Sequence, residues 1–241
     1  MKRQKIGGYI GWFRLEDWWL HEFTQEERDY IEQSFQPLST GEVDHPLTKD
    51  ELSSHSGSAM ALLTNLSGWF SKDKDRYLAW RILDRAGAAS GDVLDRHFYY
   101  QALAETAWQD THQRDDAKSI CIRACEQQIA MSHEAAQEFR AEYPSEPLPA
   151  HHGYSQRAHI HASDNEFDEA IALTQKGHAE GWNGLSDVVV EGFENWRRRA
   201  EAKAVRQKAK ELGVKWRKCR ECNHPMLPNH RFCGNCGAYT S

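Results

Sequence analysis

Two Cys-x-x-Cys pairs near the C-terminal end constrain the fold of this chain more than any other feature. The pairs are Cys219/Cys222 and Cys233/Cys236, with ten residues between them. Each pair can form a tight turn whose two thiolates face one ion, and two such turns complete a tetrahedral four-sulfur shell. A segment of about 25 residues buries too little apolar surface to fold unaided, so a metal has to supply much of its folding free energy. The spacing therefore predicts one structural Zn²⁺, with no open coordination position for catalysis.

The residues around these cysteines suit the turns that such a site requires. Asn223 follows the first pair and Gly237 follows the second, and both residue types tolerate a left-handed backbone. His224 and His230 lie between the pairs, and either could replace one cysteine as a ligand. The other alternative is a disulfide or two free dithiols, which the doubled spacing and a reducing compartment disfavour.

Segment 219–237 reads CRECNHPMLPNHRFCGNCG. It resembles the short zinc ribbons that are appended to many bacterial proteins, and the likeness covers the last tenth of the chain. Asn223 departs from the family's pattern, which usually has glycine at that position. The resemblance implies a small zinc-binding domain at the C-terminus.

Length and composition indicate one medium-sized domain with this appendage. The chain has 241 residues, of which 39% are hydrophobic, and nine are tryptophans, which suffices for a core. The N-terminus shows no signal-peptide pattern, and no stretch approaches 18 uncharged apolar residues. With cysteines suited to a reducing compartment, these features predict a cytoplasmic protein without a membrane span.

Charge is distributed unevenly along the chain. Residues 197–241 carry 12 Lys or Arg against 3 Glu, which leaves 18 of the 30 basic and 33 of the 36 acidic residues for positions 1–196. The net charge of −6 therefore combines an acidic body with a basic tail. Such a tail binds an acidic partner or folds back on its own body.

The body of the sequence is typical of consecutive helices. Thr24 and Glu27 match a capping box that opens a helix, and Thr48–Glu51 repeats the pattern. Apolar spacing predicts helices over 59–70 and 74–86, a hairpin over 93–131, a helix within 132–148, a second hairpin over 153–180 and a long helix over 186–212. The expected fold is mostly α, with stacked helical hairpins in a solenoid or a bundle, plus the small zinc ribbon. We divide the chain into an N-terminal helical region (1–89), the helical hairpins (90–183), a basic helix and linker (184–214) and the ribbon (215–241).

The second hairpin has a characteristic order of large and small residues. They are Tyr154, Ala158, Phe167, Ala170 and Gly177. In this it resembles the tetratricopeptide repeat (TPR), although His161 and Trp182 depart from the pattern. The first hairpin matches at Ala117 and Ala124 but has Glu105 where a small residue belongs. The resemblance implies a helical-repeat surface for binding proteins, and a plain helical bundle is the alternative.

The long helix has an apolar stripe at its start and a basic second half. Val189, Phe193, Trp196 and Ala200 are spaced for one helix face. The cations that follow are Arg197, Arg198, Arg199, Lys203, Arg206, Lys208 and Lys210, and the ribbon adds Arg217, Lys218, Arg220 and Arg231. Three interpretations of these cations are open. They form a solvated helix face, or they bind nucleic acid while Trp216 or Phe232 stacks on a base. In the third interpretation they dock onto acidic protein, such as the body of this chain.

Other clusters of potentially reactive residues are less specific. Four histidines lie close together in sequence, namely His151, His152, His159 and His161, but no acidic residue completes a recognised metal motif. Cys121 and Cys125 share a helix face and are expected to pack as small apolar residues. The aromatic run at Trp12, Phe13, Trp18 and Trp19 is expected in the core or at the edge of a groove. The phosphate-binding loop, the nucleophile elbow and the metalloprotease helix motif are all missing from the sequence, so no catalytic residue is predicted.

These observations favour a non-enzymatic module for protein–protein interaction, with a protein or peptide partner and one structural Zn²⁺. An alternative is a nucleic-acid-binding accessory factor that uses the basic helix and the ribbon. A third is an enzyme with its site in the helical body.

Overall fold

A computed structural model describes residues 6–36, 45–49 and 57–239 and confirms the mostly helical fold. The chain divides into two compact units, residues 1–146 and residues 147–241. The division falls between the two predicted hairpins, in the segment that contains Pro144, Pro147 and Pro149. Each unit has its own helical core.

Unit 1 contains helices α1 to α8. They span Gly8–Trp12 (α1), Glu16–Glu22 (α2), Gln25–Ser34 (α3), Ala59–Ser67 (α4), Arg76–Gly87 (α5), Val93–Gln109 (α6), Ala117–Ala130 (α7) and Ser132–Glu142 (α8). A 3-10 turn over Gly68–Phe70 ends α4, so the predicted helix over 59–70 tightens in its last turn.

Within the described residues, unit 2 contains three helices and two short strands. The strands lie in segment 215–239, which is called the ribbon below. The elements are His152–Ser163 (α9), Phe167–Ala179 (α10), Asp187–Glu211 (α11), Arg217–Lys218 (β1) and Pro225–Met226 (β2). The two strands pair antiparallel, with Arg217 opposite Met226.

The predicted capping box at Thr24 is present. The Glu27 N–H donates to Thr24 Oγ1 at 3.2 Å, and the Thr24 N–H donates to Glu27 Oε2 at 2.8 Å. An equivalent box joins Asp92 and Asp95 at the start of α6, which the sequence analysis missed. The box predicted over Thr48–Glu51 extends beyond the described residues.

Consecutive helices stack in a regular order within unit 1. Helix α4 packs against α5 and α6, and α6 packs against α7 and α8. Contacts between α5 and α6 and between α7 and α8 complete the series. Helices α4 and α6 therefore each contact the next helix and the next but one. This pattern is found in layers of helical hairpins. Helices α9, α10 and α11 make the same set of contacts in unit 2.

Glycine allows the N-terminal helix to approach the segment 45–49. Gly8 has φ +55°, and a Cβ added there would lie 2.5 Å from the Pro46 carbonyl oxygen. The Ile10 N–H donates to the Leu47 carbonyl at 2.9 Å, which places Ile10 in the core of unit 1 with Trp19. Trp12, by contrast, is 43% exposed.

A buried histidine lies where α6, α7 and α8 meet. His97 is 1% exposed, and its ring centroid lies 5.6 Å from that of Phe139 on α8. Gln128 on α7 donates to the His97 carbonyl at 3.1 Å. Burial disfavours the imidazolium and lowers the pKa of His97 to about 4.

This histidine is expected to make unit 1 less stable in acid. Because the pKa is near 6.5 in the unfolded chain and about 4 in the folded one, the unfolded state binds the extra proton between these values. The contribution of the neutral His97 to the free energy of unfolding is fully present above pH 6.5. It is lost as the pH falls towards 4, and the total loss is about 3 kcal/mol. Urea unfolding at pH 7.0, 5.5 and 4.5 measures it, and His97→Gln should show a correspondingly shallower pH dependence. Parallel pH profiles for the two proteins would contradict the assignment.

Candidate metal centre and contact surfaces

The two cysteine pairs sit in turns with the same hydrogen bonds. The Cys219 N–H donates to the His224 carbonyl at 2.9 Å, and the Asn223 N–H donates to the Cys219 carbonyl at 3.0 Å. Cys233 repeats both bonds with Ala238 and Gly237, at 2.9 and 2.8 Å. Asn223 and Gly237 have φ of 59° and 70°, so both residues adopt the left-handed backbone that the sequence predicts.

These turns bring the four sulfur atoms together. All lie within 4.8 Å of one another, with 3.7 Å between Cys219 and Cys236 and 3.5 Å between Cys222 and Cys233. A tetrahedral ion with sulfur bonds of about 2.3 Å requires sulfur–sulfur separations of about 3.8 Å. The cluster can therefore hold one metal ion with little rearrangement.

Hydrogen bonds around the cluster favour a thiolate at Cys222. The Asn235 side chain, followed by the His224 backbone, lowers the pKa of Cys222 to about 6. The Ala238 backbone also lowers the pKa of Cys236, but interactions with Cys222 and the other cysteines outweigh it and raise this pKa to about 12. The Cys222 sulfur thus loses its proton readily near neutral pH, whereas a bound cation would be needed to remove the proton of Cys236.

Neither loop histidine belongs to the cluster. His224 is 9% exposed, His230 is exposed, and the potential metal group among the described residues consists of the four cysteines alone. The interpretation of either histidine as a ligand finds no geometric support.

Four of the other candidate residues make local polar contacts or pack in the core. His151 is fully buried and accepts the Tyr154 N–H at the start of α9, while His161 contacts Glu166 at 2.6 Å. Cys121 and Cys125 are both 0% exposed, in agreement with the prediction that they act as small apolar residues.

The ribbon packs against the last turns of α11. Ala209 is 1% exposed, and its carbonyl accepts the Val214 N–H at 3.0 Å. Strand β2 contacts α11, and the Arg206 guanidinium lies 5.2 Å from the centroid of the Trp216 ring. These contacts attach the candidate metal centre to the basic helix.

The basic residues of α11 divide into two groups. Arg199, Lys203, Arg206 and Lys210 are exposed and are spaced by four, three and four residues, which places them on one face of the helix. We call these four residues the basic face. Arg197, Arg198 and Lys208 point elsewhere, and Arg197 pairs with Asp168 on α10. In the ribbon, Arg217 donates to the His230 carbonyl at 2.6 Å, and Lys218 is exposed.

Unit 1 carries a groove of about 870 Å³ between its helices. Residues of α6 and α8 line it together with the start of α4, and Phe98 and Tyr143 are 45% and 50% exposed. Three acidic residues lie in its wall, namely Asp92, Asp95 and Glu142, and no Lys or Arg joins them among the described lining residues. The groove therefore combines exposed aromatic surface with negative charge, a feature that sequence spacing alone did not show.

Comparison with protein-family models, curated proteins and solved structures finds no match to this chain. Within the described ranges, no helix has the length and apolarity that crossing a membrane requires.

Proposed function

We propose that this chain is a non-enzymatic interaction module in which unit 1 binds a peptide segment of a partner protein. One observation carries the proposal: the groove is lined by α6, α8 and the N-cap of α4, and these three helices alternate along the chain with α5 and α7. In stacked helical hairpins, alternate helices line the inner face, where extended peptides and partner helices bind. The stacking order of both units also supports a TPR-like arrangement.

The composition of the groove defines the partner's chemistry. Phe98 and Phe139 pack edge to face with centroids 5.8 Å apart, and Phe98 remains open to an apolar side chain. The carboxylates in the wall favour a cationic partner, because complementary charge steers and orients a partner at an interface. We therefore propose a segment that places Lys or Arg next to an aromatic or aliphatic residue.

For the C-terminal cluster we propose one Zn²⁺ in a zinc ribbon. Four thiolates in tetrahedral arrangement suit zinc, and a shell closed by four protein ligands leaves no position for a substrate. The ion would then stabilise the ribbon without taking part in a reaction. A reducing compartment keeps the thiols available to the metal, so we also propose a cytoplasmic location.

Peptide selection against the intact protein tests the groove. A displayed library of random dodecapeptides should yield sequences with Lys or Arg beside an apolar residue. Phe98→Ala and Glu142→Lys should each weaken binding of a selected, fluorescently labelled peptide by about tenfold or more, as measured by polarisation.

Leu20→Ala provides the matched control for that measurement. Leu20 is 47% exposed on α2, in the same unit but outside the groove, so its loss should leave the affinity unchanged. Selected peptides that are acidic, or an equal affinity for the wild type and Phe98→Ala, would rule out the groove as the binding site.

A further inference from the structure

We propose that α11 and the ribbon together form a binding surface for single-stranded nucleic acid. The surface comprises the basic face and the exposed tryptophans Trp196 and Trp216. It lies in unit 2 and does not depend on the peptide groove of unit 1.

Charge is segregated around α11. With about 100° of rotation per residue, Arg199, Lys203, Arg206 and Lys210 fall within a narrow sector, whereas Glu194 and Glu201 lie on the opposite side. Over the described residues, no ion pair engages Arg199, Lys203 or Lys210. The basic face thus presents a continuous row of cations about 16 Å long. Such a row neutralises successive phosphates and releases their counterions.

Two exposed tryptophans lie beside this row. Trp196 is 40% exposed and lines a groove of about 770 Å³ together with Arg199 and Lys203. Trp216 is 38% exposed and lies beneath the guanidinium of Arg206. Aromatic rings beside a basic track are the means by which proteins bind single strands without sequence preference, because every base can stack.

The combination distinguishes between anionic partners. A duplex keeps its bases stacked internally, so it would use the cations but not the tryptophans. An acidic protein segment would likewise leave the rings without stacking partners. A flexible strand uses both features, with phosphates on the basic face and bases on Trp196 and Trp216.

The test uses the intact, metal-loaded protein and a fluorescently labelled 20-nucleotide deoxythymidine strand. Binding is followed by anisotropy at several salt concentrations. The variant Lys203→Gln/Lys210→Gln should bind about tenfold or more weakly, and the slope of log K against log salt should become shallower by about 1.4. Trp216→Leu should weaken binding without changing that slope. Trp216→Phe keeps an aromatic ring and should retain most of the wild-type affinity.

The matched control is Arg198→Gln/Lys208→Gln, which removes the same charge from α11 outside the basic face. It should bind almost as the wild type does, and circular dichroism confirms that each variant keeps its helices. The proposal is overturned if both double variants lose affinity equally, since binding would then follow net charge alone. It is also overturned if a 20-base-pair duplex or a poly-glutamate chain competes as well as the single strand.

Discussion

Cys219→Ser is expected to abolish binding of one metal ion per chain and to unfold the ribbon, while the helices of unit 1 stay folded. The ribbon has a core of only a few side chains, formed by Cys219, Met226 and Cys233. Metal binding to such small domains contributes about 10–16 kcal/mol, which their apolar burial cannot replace. Removing one thiolate breaks the closed shell, because neither His224 nor His230 belongs to the cluster.

Metal content by mass spectrometry and amide hydrogen exchange measure this outcome. The wild type purified in reducing buffer should carry one Zn²⁺, and a strong chelator should abolish protection over residues 215–239 only. His230→Ala is the control, since its exposed side chain lies outside the cluster and should be dispensable. Iron in place of zinc would contradict the proposed ion, and an ordered ribbon in metal-free protein would contradict its structural role.

Asp110→Ala is expected to destabilise unit 1 by about 3–5 kcal/mol, because it leaves a buried guanidinium without its main partner. The Arg76 and Asp110 side chains are 6% and 8% exposed and form an ion pair. The Trp80 indole N–H also donates to Asp110, at 2.6 Å. Burial works to lower the pKa of Arg76, but the bonds to Asp110 and Asp73 raise it above the usual value, so the arginine stays charged. Its charge therefore holds α5 against the end of α6.

Urea unfolding at pH 7 of the wild type and the variant gives this difference directly. Asp116→Ala removes another carboxylate that pairs with an arginine, namely Arg114. In this pair the Asp116 side chain is 55% exposed and the Arg114 side chain is 40% exposed. Water screens it, so this control should leave the unfolding midpoint nearly unchanged. Equal effects of the two substitutions would mean that Asp110 contributes no more than a surface charge.

The sequence predicted the elements whose signals are local. Thr24 and Glu27 are three residues apart, and their capping box follows from that spacing alone. The sulfur cluster is likewise specified by two short turns with a left-handed residue in each. The stripe that begins at Val189 predicted α11 because it repeats over several turns.

Features that depend on distant residues were not predictable in this way. Arg76 and Asp110 are 34 residues apart, and no local pattern shows that two charged side chains will be buried together. The short helix α1 depends on Gly8, because a side chain there would collide with the Pro46 carbonyl. The sequence alone does not show that Pro46 lies against Gly8. The groove likewise requires α6 and α8 to be neighbours, which is a property of the stacking order.

Because α11 is one uninterrupted helix of 25 residues, it fixes both the distance and the rotational phase between the α9–α10 hairpin and the ribbon. Each inserted residue would move the ribbon by only about 1.5 Å but turn it by about 100°. A two-residue insertion within the helix would thus aim the cysteine turns away from their present direction. Evolution or design could lengthen this spacer by whole helical turns, whereas other lengths would redirect whatever the ribbon touches.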